Sequence, residues 1–155
     1  MPLPRASAPA ALGCLFLLSA CTPTIGVEAA PGAADPDCAP VMLALPDVLA
    51  GDLGKVGTNA QATAAWGEPG AAVTFRCGVD QPGPSPDCQR VESGQGTVDW
   101  VAATGEDGTW RFTTYGREPA MEVTIPPTVL EDHSSSFVGD LTSAVTLVDA
   151  TKECT

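Results

Sequence analysis

Positive charge is scarce in this chain. Seven Lys and Arg stand against nineteen Asp and Glu, a net charge of −12. That deficit excludes groove-tracking nucleic-acid binding, which needs a basic surface to neutralise phosphates. Aromatic residues make up only 5% of the sequence, so any core has to be mainly aliphatic. There is one histidine, His133, and no C-x-x-C pair, so a thiolate metal centre lacks its ligand spacing. Alternating oxygen ligands of the D-x-D-x-D-G kind are missing, as are a phosphate-cradling loop and a G-x-S-x-G nucleophile elbow. No apolar run approaches the ~20 residues of a membrane-spanning helix. No catalytic residue, metal or cofactor is therefore assigned.

What is present is a chain of 155 residues with 44% hydrophobic content, enough for one domain with a buried core. Its 16 glycines and 15 prolines call for many turns without reaching low-complexity composition.

The first residues have the make-up of an export signal. Arg5 is the only charge before Cys21, and Ala8 to Ala20 form an apolar, small-residue run. The run ends in Leu18-Ser19-Ala20-Cys21, which resembles the lipobox of bacterial lipoproteins, where the cysteine is diacylated and becomes the new N-terminus. Residues 1–20 are expected to be a signal peptide and Cys21 the lipidated residue. Partition of two acyl chains, at about 0.8 kcal/mol per CH₂, would hold the protein on the extracytoplasmic face of the cell membrane. The acidic body adds no attraction for an anionic leaflet. Residues 21–37 have no periodicity and many Ala, Pro and Gly, so a flexible tether is expected after the lipidated cysteine. The domain proper is then 38–155.

Cys14 would leave with the signal, and four cysteines remain in the domain: Cys38, Cys77, Cys88 and Cys154. An even number in an exported chain points to two disulfides with three possible connectivities. The favoured pairing is Cys77–Cys88, which closes a Pro- and Gly-rich loop, with Cys38–Cys154 joining the domain's ends.

Within the domain, 38–51 has helical spacing interrupted by Pro46, predicting two short helical turns. Period-two alternation predicts strands over 71–78, 97–104, 109–116 and 121–126, with a weaker one over 62–66. Residues 134–148 return to helical spacing, with Phe137, Val138, Leu141, Ala144, Val145 and Val148 on one face and a serine run as N-cap. The expected fold class is α+β: an antiparallel sheet of four to five strands, with N-terminal and C-terminal helices on one face. Trp100 and Trp110 fall in phase with the apolar face and are expected in the core. His133, ahead of the serines, is expected to be a linker residue.

The other sheet face would meet water. Arg76, Arg111 and nearby Arg117 are three of the six cations left after cleavage, and with Tyr115 they form a candidate binding face for an anionic envelope group or a partner's carboxylates. The competing reading is plain cross-strand ion pairing with Asp99 and Glu122, of small energetic value.

The segments AAWGEPG (64–70), RCGVDQPGPSPDC (76–88), VDW (98–100) and TYGREPAMEVTIPP (114–127) resemble an actinobacterial lipoprotein family, the domain of unknown function 3515. The resemblance runs from about Cys38 to Pro127 and includes the lipobox. It implies an exported, membrane-tethered envelope protein, and a family setting near genes for cell-wall dipeptide synthesis implies a link to the wall. It supplies no catalytic residues. The resulting expectation is a non-catalytic cell-envelope interaction module with an envelope protein or wall polymer as partner. A wall-acting hydrolase and a small-molecule-binding lipoprotein are the alternatives.

Overall fold

The structure, a computed structural model, describes residues 23–155. The expected signal peptide and the lipidated Cys21 lie outside the described residues.

Nine strands form one mixed sheet. In chain order they are β1 (Thr24–Ile25), β2 (Val48–Leu49), β3 (Leu53–Thr58), β4 (Thr63–Glu68), β5 (Ala71–Val79), β6 (Cys88–Ser93), β7 (Gly96–Thr104), β8 (Trp110–Thr114) and β9 (Ala120–Ile125). Their spatial order is β1-β3-β4-β5-β9-β8-β7-β6, with β2 also beside β3. β1 runs parallel to β3, and the other pairings are antiparallel. The helices are short: α1 (Cys38–Ala44), α2 (Pro127–Leu130), a 3₁₀ segment (Ser135–Leu141) and α3 (Thr142–Val145).

This corrects the expected α+β arrangement of four to five antiparallel strands with two flanking helices. The protein is mostly β. Strands β3 and β6 have weak alternation because they sit near the sheet's edges, where Gly54, Gly57, Gln89 and Arg90 replace apolar residues. Near Pro46 the chain leaves the helix at Leu45, with ψ 135°, and forms β2 where a second helical turn was expected. Over 134–148 the apolar spacing is met by a 3₁₀ segment and a single α-helical turn. Gly139 and the β-branched Val138, Thr142, Val145 and Thr146 disfavour a continuous α-helix there.

Alternation fixes which side of each strand is buried. Phe75 pairs with Val123, Cys77 with Met121, and Phe112 with Val123, all within one apolar layer. Val41 of α1, Val129 of α2 and Phe137, Val138, Leu141, Ala144, Val145 and Val148 of the C-terminal segment close that layer. Trp100 meets Phe112 edge-on at 6.5 Å, and Trp110 stacks on the same ring at 5.7 Å. Trp66, fully buried, donates its indole N–H to the Pro46 carbonyl at 2.8 Å.

The disulfides are Cys38–Cys77 and Cys88–Cys154, not the favoured Cys77–Cys88 and Cys38–Cys154. Cys77 lies on the core side of β5, opposite Met121, while Cys88 of β6 pairs with Val101 on the outer side. Four inter-strand steps separate β5 from β6, roughly 19 Å, well beyond disulfide reach. Cys38 instead opens α1 over the core end of β5.

The segment expected to be a free tether is docked from residue 23 onward. β1 pairs with Gly57 and Thr58, Val27 N–H donates to Asn59 Oδ1 at 2.7 Å, and Gly32 N–H donates to the Gly78 carbonyl at 2.8 Å. Val27, Ala30 and Ala33 are buried. Glycine at 78 makes the contact possible: its φ is +90°, and a Cβ there would run into the Gly32 backbone.

Candidate functional site

The outward face of the sheet is assembled by register. Arg76 of β5 stands opposite Glu122 of β9, and Glu122 stands opposite Thr113 of β8, two residue pairs along from the Arg111–Thr124 pair and on the same face. Side chains at these positions point away from the core because their neighbours Phe75, Val123 and Phe112 point into it.

Two guanidinium groups converge on one carboxylate. Arg76 donates from Nη2 at 2.7 Å and from Nε at 3.2 Å to Glu122 Oε1, while Arg111 Nε approaches Oε2 at 3.3 Å. The Glu122 side chain is only 10% exposed, whereas Arg111 is 55% exposed. Two cations share the one anion, Asp107 lies close enough to Arg111 to feel its charge, and the half-exposed Arg111 makes only its Nε contact to Glu122.

Of the four residues expected on one binding face, the structure therefore brings Arg76 and Arg111 together and places Tyr115 and Arg117 elsewhere. Tyr115 lies opposite Asp99, donating its backbone N–H to the Asp99 carbonyl at 2.8 Å, and is 9% exposed. Arg117 is 6% exposed and reaches the carbonyls of Val148 and Thr97. The four do not form one patch, because β8 ends at Thr114 and the chain turns at Gly116 beneath the C-terminal tail. Gly116 has φ +73°, its carbonyl accepts from Thr151 N–H at 2.7 Å, and a Cβ would strike the Lys152 backbone.

Of the two acids expected to pair with these arginines, Glu122 does so and Asp99 does not. Asp99 is held by Arg90 through two bonds of 3.0 and 3.2 Å and by Cys154 N–H at 2.6 Å. The Arg90 hydrogen bond holds the Asp99 carboxyl below its ordinary range, against the opposing effect of burial. Arg90 also reaches Glu153 at 2.9 Å. It was missed because the alternation of β6 is too weak to place it.

His133 is more than a linker residue. Its Nδ1 lies 3.1 Å from the Val129 carbonyl and its Nε2 2.8 Å from Asp52 Oδ1. Two oxygen partners favour the doubly protonated ring, and the Asp52 hydrogen bond raises the imidazole's pKa. The ring is engaged by protein oxygens through both nitrogens. It borders a cleft of about 550 Å³ whose walls include Leu53, Lys55, Glu68 and Val129. Ser134 accepts from Ser136 N–H as the cap of the 3₁₀ segment. No group of three or more His, Cys, Asp or Glu side chains among the described residues is placed to hold a metal ion.

The model of a family described as "Protein of unknown function (DUF3515)" matches residues 10–153. No curated protein matches the chain. No solved structure matches it either.

Proposed function

We propose a role, argued from its own geometry, for this chain, which belongs to the DUF3515 family of unknown function: it is a non-catalytic interaction module of the cell envelope. It is held to the extracytoplasmic face of the membrane through lipid on Cys21 and takes a carboxylate of an envelope protein onto the Arg76–Arg111 pair. The observation that supports this reading is the pair of guanidinium groups on Glu122, two cations on one anion with Arg111 half exposed, in the middle of a solvent-facing sheet. On a chain of net charge −12 such a point is distinctive to an acidic partner. Three side chains capable of acid–base work are held in contacts of the fold: His133 by two oxygens, Asp99 by Arg90 and Glu122 by two arginines.

The test is in-cell cross-linking of the full protein followed by mass spectrometry, with Arg111→Gln as the variant. Arg111 is half exposed and makes only the longer contact to Glu122, so its loss should leave the melting temperature nearly unchanged. Capture of the partner should fall about tenfold, the order expected for one charge-assisted hydrogen bond. Undiminished capture by Arg111→Gln would remove the patch from the reading. Retention of Cys21→Ser in the membrane fraction would remove the lipid anchor.

A further inference from the structure

Arg117 is a buried cation without an anionic partner. Its Nη1 and Nη2 donate to the Val148 and Thr97 carbonyls, and its Nε is buried with no hydrogen-bond partner. No carboxylate lies within ion-pair distance of it among the described residues. Asp149 and Asp99 act on it only through space, and burial pushes its guanidinium below its ordinary pKa. A guanidinium removed from water without an ion-pair partner is costly to keep, and such groups mark places where an anion is favoured.

Arg117 lines a cleft of about 190 Å³ between β7 and the C-terminal tail, the room of roughly six waters. Tyr115 and Lys152 line the same cleft. Three acids also face it, but Arg90 takes up two of them, Asp99 and Glu153. Counted together, the lining carries three cations, Arg90, Arg117 and Lys152, against those three acids, and is neutral. A neutral lining admits a singly charged anion beside Arg117 more readily than a dianion, which would meet Glu92 and the tail acids with twice the repulsion.

We propose that this cleft is a binding site for a small monocarboxylate, held by the Tyr115 phenol and the Arg117 and Lys152 cations. It is separate from the Arg76–Arg111 pair and does not depend on that pair's role. The carboxylate belongs either to a free small acid or to the C-terminus of a peptide, since both present the same planar group. Arg117 is in place because Gly116 lets the tail lie against its backbone and the Cys88–Cys154 bridge holds the tail's end.

The test is a titration of the purified, ¹⁵N-labelled full-length protein at constant ionic strength, following the amides of Gly116 and Arg117 and the Arg117 side-chain Nε–H. Acetate, N-acetylglycine, phosphate and chloride are the probes. Saturable shifts with acetate or N-acetylglycine, and none with chloride, are expected. Tighter binding of N-acetylglycine would identify a peptide C-terminus, and tighter binding of acetate a free acid. Arg117→Ala removes a clamp on the tail and is a poor probe, so Tyr115→Phe and Lys152→Met are used. Each should retain the dispersed spectrum and weaken acetate binding about fivefold. Equal shifts with chloride, no saturation, or unchanged affinity in both variants would overturn the proposal.

Discussion

Glycines 78 and 116 sit in the two segments that bear most of the family resemblance, RCGV and YGR, and the structure gives both a mechanical reason. Each adopts a positive φ and lets another stretch of backbone lie against it: residues 32–33 at Gly78 and Lys152 at Gly116. Gly78→Ala therefore meets both a strained φ and a direct collision, and is expected to destabilise the domain by about 1–3 kcal/mol in urea unfolding. Gly83→Ala, with open space around its Cβ and no positive φ, should change stability little. The sequence marks these glycines as special positions but says nothing of what docks on them. That information lies in residues 45 to 46 and 36 positions away along the chain. The same limit applies at Arg76 and Arg111: alternation places both on the outer face, while their shared carboxylate follows only from strand register.

At the level of elements, alternation was informative where strands are half buried and silent where they are not. β5, β7, β8 and β9 contain the Val, Phe, Trp and Met residues that make a period of two visible. β1 and β2 are two residues long, and β3 and β6 are largely exposed, so none has enough apolar signal. The disulfide pairing was unreadable for a related reason, because it depends on the sheet order that brings α1 over β5 and the tail beside β6. The Cys88–Cys154 bridge spans 66 residues and contributes about 4 kcal/mol by loop-closure entropy. Replacing both cysteines by serine should lower stability by an amount of that order. It should also raise hydrogen exchange first at Thr151 N–H, which is bonded to the Gly116 carbonyl, and at Cys154 N–H, bonded to Asp99.

For the whole molecule, pH acts through the join that His133 makes between the β2–β3 turn and the C-terminal end of α2. Its pKa is raised in the folded state above the ordinary 6.5, first by the Asp52 hydrogen bond and then by the Val129 carbonyl, with Asp132 adding to the effect. A raised folded pKa contributes stability that is fully present below 6.5 and is lost as pH rises through the higher folded value. Chemical unfolding measured from pH 6 upward should show that decline in the native protein and a flatter profile in His133→Gln. A matching decline in the variant would assign it to other groups.

The docking of β1 also sets how the molecule would stand on a membrane. Only Thr22 and Pro23 separate Cys21 from β1, so under the proposed anchoring the lipid attachment lies within about 11 Å of the sheet. Seven strand spacings, roughly 33 Å, then separate the β1 border from β6 at the opposite border. A leash would let every face sample the bilayer, whereas under that anchoring a stalk this short would keep the β1 border close to the attachment point. The proposed cleft beside the C-terminal tail lies toward the opposite border, as much as several Debye lengths from the anchored one.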